Sequence, residues 1–367
     1  MKPKILIVQP EIYMWGGAER QIAHMANYFT EHNYPTTILT TKAIPEFKQA
    51  LKETRIIEVG PNIQKLYATF QTIMGRFDIV NPHNHPTELM IAPIKMPVVW
   101  QLNEPPVEVL KGGDLPAGNK EIVQKYITKT VVITDYECER SGKLYGIEPI
   151  VNYPGVRYDY FSEKVDVENT RKKYNLEGKF VILEAGYITF TKNQMAAVEI
   201  LAKIKKDIPN AILILAGYDK DPYKMHVESK AMELKIDDSV IFTGYIDKDE
   251  EMRDLYNIAD VYIGPFLDQG GWATTFEAAC AGCPIVVSPK FVAANLVKKH
   301  NLGHVCEVEN FPQAILNIKE FPDVAKQRTR RTAKWIGENL TWTSFCQKYL
   351  DIFEEIWHEN EYSYNND

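Results

Sequence analysis

Six apolar runs in the second half of the chain, FVILEAG, AILILAG, VIFTG, VYIGPF, PIVVS and HVCEV, each lead into a segment of helical character. Those segments include NQMAAVEILAKIKK, YKMHVESKAMEL, DEEMRDLYNIA, VAANLVKKH and FPQAILNIKE. A continuous rather than alternating apolar run suits a strand buried on both faces, as in parallel sheets covered by helices. Strand and helix alternating over about 150 residues therefore predict an open, doubly wound parallel sheet.

The first half repeats the rhythm. KILIVQP reads as a buried strand, and Ala18, Ile22, Met25 and Phe29 fall at helical spacing before TTILTT opens the next strand. RIIEV, DIVNPHNHP, PVVWQLNEPP and TVVITD continue the series until Pro and Gly in PIVNYPGVRYDYF (149–161) break it. At 367 residues the chain is too long for one ordinary core. The expectation is an α/β protein of two Rossmann-like, doubly wound domains, 1–162 and 163–340, facing each other across a cleft. Ligands in such sheets bind at the carboxyl ends of the strands, so the loops there are expected to converge on that cleft.

Composition narrows the partners. A net charge of −7 gives no overall attraction to phosphate backbones, which argues against nucleic acid. Five scattered cysteines suit reduced thiols in a cytoplasm better than a disulfide framework. No apolar run approaches the roughly 20 residues of a membrane span, and the short ILIV run near the start is no signal sequence. A cytoplasmic protein is expected, with Lys42, Lys48, Lys52 and Arg55 offering positive charge for peripheral contact with a membrane face.

Five places could carry chemistry. In WGGAER (15–20), Gly16 and Gly17 sit between a strand and a helix, where backbone N–H groups can approach an anion or simply make a tight turn. The segment is not GxGxxG and no acidic residue ends the second strand, which disfavours a dinucleotide. Lys192 lies just before a helix, placed either to neutralise a phosphate or only to be solvated. Glu277 interrupts the apolar TTFEAACAG and needs hydrogen-bond partners, which a sugar diol would supply and a surface position would make unnecessary. His83 and His85 in PHNHP lack the companions of a metal site, so cleft-lining or plain surface histidines fit better. CAGC (280–283) matches CxxC at a helix end rather than a helix start, against redox chemistry. No Walker loop, Gly-x-Ser-x-Gly or HExxH is present.

Together these segments resemble glycosyltransferase family 4, retaining enzymes of the GT-B fold, with GGAE, PGVRYDYF, AILILAG, VIFTGYI, LYNIADVYIGPF and FEAACAGCPIVVS in the family's order. FCQKYLDIFEEIW, after Trp342, resembles its C-terminal helix, so 341–367 is expected to cross back to the first domain. The resemblance implies a nucleoside diphosphate sugar, UDP- or GDP-linked, as donor, with neither cofactor nor metal, and a carbohydrate or lipid-linked acceptor. It places Lys192 on the diphosphate, Glu277 (second position of E-x7-E) on the ribose, Gly16 and Gly17 near the phosphates, and Gly244 and Tyr245 at the base. Gly186, Tyr187, Gly217, Thr274 and Thr275 complete the implied donor set.

Three positions depart from the pattern. Gln269 replaces the first glutamate of E-x7-E, Tyr187 an arginine, and Asn103 the histidine after PVVWQL. In the family the leaving phosphate assists the acceptor, so catalysis would rest on charge stabilisation and positioning, with Lys192, Gln269 and Asn103 as the catalytic set. Losing one charge-assisted contact would cost about 10²–10³ in rate. The alternatives are a catalytically silent GT-B partner protein and a nucleotide-sugar 2-epimerase.

Overall fold

The computed structural model describes residues 2–14, 16–219 and 222–364. The chain divides into two compact units, Met1–Gly155 with Trp342–Asp367, and Val156–Thr341. The first passage between them falls at Gly155, where the sequence placed it at 162.

In the first unit, β1 (Ile5–Val8), β2 (Thr36–Thr40), β3 (Arg55–Glu58) and β4 (Ile79–Pro82) form a parallel sheet in the order β3-β2-β1-β4. β5 (Val99–Leu102), β6 (Lys129–Val132) and β7 (Ile150–Val151) form a second parallel sheet in chain order. β7 lies within the Pro- and Gly-containing stretch 149–161, where the sequence pattern predicts a break; two apolar residues beside β6 suffice for it. Single bridges, Val80 to Val98 and His83 to Gln101, join β4 to β5.

The interruption between those sheets has a local cause. Val80 N donates to Pro97 O at 3.0 Å and Asn84 N to Gln101 O at 2.8 Å, so the donor between them belongs to Pro82, which has none. Val99 O is instead met by Asn81 Nδ2 at 2.6 Å. Asn81 Oδ1 is in turn bonded to His83 Nε2 at 2.9 Å. Burial holds the His83 imidazole down at about 3, so it is neutral there. The NPH triplet is thus a repair of a strand pair, with His83 buried inside it.

In the second unit, β8 (Phe180–Ala185), β9 (Ala211–Ala216), β10 (Val240–Gly244), β11 (Val261–Gly264), β12 (Ile285–Val287) and β13 (His304–Val305) make one parallel sheet, ordered β10-β9-β8-β11-β12-β13. Every residue of β8 and β9 is buried, as continuous apolar runs require. Chain order reverses between β8 and β11, so the loops after these two strands leave the sheet at its topological switch point.

The C-terminal helix, Trp342–Tyr364, returns to the first unit. Phe345, Tyr349, Phe353 and Ile356 fall on one helical face and enter the core of Ile22, Met25 and Phe29. Phe29 and Phe353 meet edge to face at 5.5 Å. Burial of such a side chain contributes roughly 1.5–3 kcal/mol, which explains why this helix belongs to the first unit. Among the described residues no helix is long and apolar enough to cross a membrane. The helix Pro322–Asn339, which precedes it, has no counterpart in the sequence reading.

Candidate functional site

Most of the expected donor residues cluster at the carboxyl ends of β8 to β11 in the second unit. Gly186 follows β8 and Gly217 follows β9; a Cβ on Gly217 would stand 1.8 Å from Gly186 O, so the two strand ends can approach only because Gly217 has no side chain. Tyr187, Tyr218 and Tyr245 follow the glycines of three adjacent strands and are 45%, 52% and 70% exposed. Sequence reasoning named Tyr187 and Tyr245 but passed over Tyr218, although the repeated Ala-Gly-Tyr of β8 and β9 was a readable signal.

The loop after β8 is pinned before it reaches Lys192. Gln194 Oε1 accepts from Thr189 N at 3.3 Å, and its Nε2 donates to Tyr187 O at 3.1 Å. Asn193, in the left-handed region at φ 65°, donates from Nδ2 to Pro265 O at 2.9 Å. Leu267 N donates to Thr191 O at 2.9 Å. The loops after β8 and β11 are therefore tied together.

Lys192 rises between them. Its ammonium lies 4.7 Å from the centre of the Phe266 ring and 3.0 Å from the point a Cβ on Gly270 would occupy. Phe266 is itself packed between Gly264 and Gly271, where a Cβ would come within 2.4 and 2.3 Å of its ring. The helix Trp272–Cys280 starts directly after Gly271 without a side-chain cap. A cation and an uncapped helix N-terminus thus adjoin, the combination that suits an anion. Burial lowers the Lys192 pKa, opposed by the carboxyl of Glu184.

Gln269 lies in the same loop, with its N–H on Asp268 Oδ1 at 2.7 Å and its buried Oε1 without a partner among the described residues. Thr274 Oγ1 is 2.9 Å from the Tyr262 hydroxyl, which also donates to Ala185 O at 3.3 Å. Thr275 departs from expectation: it is fully buried, and its N–H is bonded to Gly271 O at 3.2 Å. Its hydroxyl is buried, a placement the sequence could not separate from its neighbour's.

Glu277 is explained by Tyr256, a buried phenol that donates to Glu277 Oε2 at 3.1 Å. Arg157 adds a favourable charge interaction with this carboxylate. Neither residue was legible as its partner, because 21 positions separate Tyr256 from it. Gly244, with φ 71°, ends β10 just before Tyr245. Cys280 and Cys283 are buried and their thiols pushed up by desolvation, which fits inert core residues.

The first unit holds the rest. Gly16 N donates to Glu19 Oε2 at 3.2 Å, so the first helix, Gly17–Glu31, already has an acid at its start. A Cβ on Gly17 would meet nothing within 4 Å. Trp15 lies outside the described residues. Asn103 follows β5; its Oδ1 accepts from Gln101 Nε2 at 2.7 Å and its N–H meets Asn84 Oδ1 at 2.9 Å. His85 Nδ1 lies 2.6 Å from Oε1 of the buried Glu88, a contact that raises the imidazole pKa. Asn119 Nδ2 donates to the same oxygen at 2.6 Å.

Comparison with known proteins bears on this arrangement. Residues 166–334 match the family described as Glycosyl transferases group 1. The chain is 26% identical over 249 residues to YtcC of Bacillus subtilis, covering 64% of this chain and 59% of that one. It is 25% identical over 236 residues to mannosylfructose-phosphate synthase of Agrobacterium fabrum, covering 61% and 50%. A shorter match, 27% over 139 residues, is to alpha-monoglucosyldiacylglycerol synthase of Streptococcus pneumoniae, covering 38% and 31%. The chain thus matches less than two thirds of the length of each of these relatives. Among solved structures, a glycosyltransferase from Rickettsia africae superposes with a TM-score of 0.80 at 19% identity, covering 97% of this chain and 98% of that one. HepE of Anabaena, solved with UDP and glucose, superposes with a TM-score of 0.77 at 15% identity, covering 96% and 100%. The second unit accordingly matches the glycosyl transferases group 1 model over most of its length, and the chain has the α/β, parallel-sheet fold of its GT-B structural neighbours.

Proposed function

We propose that the protein is a retaining glycosyltransferase of family 4 that moves a hexosyl group from a UDP- or GDP-linked sugar to a carbohydrate or lipid-linked acceptor. The observation that carries this reading is the Lys192 ammonium, without a hydrogen-bond partner among the described residues, beside the uncapped start of helix Trp272–Cys280. Diphosphate departure builds negative charge where this cation and these N–H groups can receive it. Glu277, braced by Tyr256, would accept from the two ribose hydroxyls, and Gln269 would bond a donor-sugar hydroxyl. Tyr187, Tyr218 and Tyr245 offer exposed rings at the strand ends for the nucleoside. Asn103 and His85 would face the acceptor. Solved structures of HepE with UDP and with UDP-glucose support the donor class. The relative named for monoglucosyldiacylglycerol supports a lipid-linked acceptor, and with it a peripheral place at a membrane face.

The test is incubation with UDP-, GDP- and ADP-sugars. Slow donor hydrolysis that Lys192→Ala reduces about 10²–10³-fold is the expected result. Gln269, Tyr187 and Asn103, each a departure from the family pattern, favour a second reading, a silent binding partner. Tight nucleotide binding without turnover in the presence of any acceptor would support it. Release of a 2-epimerised sugar would indicate an epimerase.

A further inference from the structure

Helix Pro322–Asn339 is charged against the trend of the chain. It carries Lys326, Arg328, Arg330, Arg331 and Lys334 against Asp323 and Glu338, five cations to two acids in a protein of net charge −7. Thr329, Thr332 and Ile336 are buried, which leaves Lys326, Arg330, Arg331 and Lys334 on the exposed side. Lys334 pairs with Glu338 at 3.7 Å. Lys326, Arg330 and Arg331 have no ion pair among the described residues.

Residues 298–304 run along one flank of this helix and add to its charge. The His300 ring packs on Trp335 at 4.5 Å, Thr332 Oγ1 donates to Leu302 O at 2.8 Å, and Arg328 meets His304 Nε2. That packing brings Lys298 and Lys299 to the same surface, exposed and likewise without an ion pair among the described residues. Where the longer helix starts, Phe321 and Val324 are 53% and 58% exposed. Val324 and Arg331, two turns apart, share a flank. Cations alone would suit any polyanion; large apolar side chains beside them suit the boundary between lipid headgroups and acyl chains. The basic cluster that the sequence offered for membrane contact is built otherwise, because Lys48 pairs with Glu58 at 2.5 Å and Lys52 with Glu31.

We propose that residues 298–300 and the outer face of helix Pro322–Asn339 are the surface by which the second unit rests on an anionic lipid bilayer, with Phe321 and Val324 entering its boundary. The inference rests on the proposed peripheral place at a membrane and is independent of the role given to Lys192. Helix Ala294–His300 starts near the donor loop, where Val292 N meets Gly270 O at 3.4 Å, and its charged end lies about 10 Å further on. Changes at that end leave the donor loop as it is.

Co-sedimentation of the full chain with vesicles tests the surface, using phosphatidylcholine alone and phosphatidylcholine with about 30% phosphatidylglycerol. The wild type is expected on the anionic vesicles only, with binding lost as salt rises from about 0.05 to about 0.5 M. At about fivefold per cation, the triple variant Lys326→Gln, Arg330→Gln, Arg331→Gln should lose about 100-fold in affinity, and the Lys298→Gln, Lys299→Gln pair about 25-fold. The two variants lie on separate elements, so one remains readable where the other fails to fold. Phe321→Ser should cost several-fold at every salt concentration, and Lys42→Gln, Lys48→Gln, Lys52→Gln together less than about twofold. Donor hydrolysis in free solution should be unchanged in both patch variants; its absence from the wild type would count against the transferase reading alone. Undiminished vesicle binding by both patch variants would overturn the surface. If the first-unit variant then loses binding, the membrane place stands; if the patch variants instead lose binding to a short DNA duplex, the surface belongs to nucleic acid. No binding of the wild type to anionic vesicles would remove the membrane place and the surface with it.

Discussion

Two glycine pairs stand at the starts of helices in this protein, one in each unit, and they are built differently. Gly16-Gly17 starts a helix whose own Glu19 accepts the Gly16 N–H, and around Gly17 there is open space. Gly270-Gly271 starts a helix with no side-chain cap, and both positions are filled from the side, by the Lys192 ammonium and the Phe266 ring. A helix N-terminus is an anion site only if the chain has not already supplied the anion. The first pair has an acid in place; the second has a cation, which calls for one from outside. The same dipeptide therefore has opposite electrostatic meaning, decided by Glu19 on one side and Lys192 on the other.

That contrast can be broken most forcefully at Lys192. Replacing it with alanine should reduce donor turnover about 10²–10³-fold, read from nucleotide release, whereas Arg20→Ala, beside the first pair, should cost less than tenfold. An equal loss at both positions would erase the distinction.

The glycines give the next largest effect. Gly271 has φ 82° and no room for a Cβ beside Phe266, so Gly271→Ala should destabilise the protein by about 2–4 kcal/mol in denaturant melts. Gly17→Ala, in open space at the start of a helix, should be neutral or stabilising by up to about 1 kcal/mol.

How legible was this from the sequence? The alternation of apolar runs and helical segments was enough for the parallel strands of both units, because burial on two faces leaves a continuous signature in β8 and β9. The two-residue β7 left none, and the Pro82 interruption needed the partner strand to be seen. Glu277 was readable as an odd residue in its surroundings, Lys192 by its place before a helix and its match to a family pattern, and Gln269 by its departure from that pattern. Their partners were not: Tyr256 lies on another helix, and Phe266 looks like any core aromatic. Thr274 and Thr275 look alike in sequence; only the helix phase turns one hydroxyl to Tyr262 and buries the other.

Smaller changes sharpen the picture. Glu277→Ala strands the Tyr256 hydroxyl in the core and should cost about 1–3 kcal/mol in stability, with a loss of nucleoside affinity that Glu277→Gln partly spares. Glu19→Gln weakens the contact to Gly16 and should cost at most about 1 kcal/mol, with affinity for free diphosphate unchanged within about twofold. A large gain in that affinity would mean that Glu19 holds the first helix closed to phosphate rather than simply capping it.

The central claim is that the second unit's loops receive the diphosphate. Hydrogen–deuterium exchange of the full chain, with and without the best-binding of UDP, GDP and ADP, tests it most directly. The account predicts slowed exchange in peptides covering 186–193 and 264–274, with 16–20 unchanged. Protection confined to 16–20, with the second unit's loops exchanging as before, would contradict it.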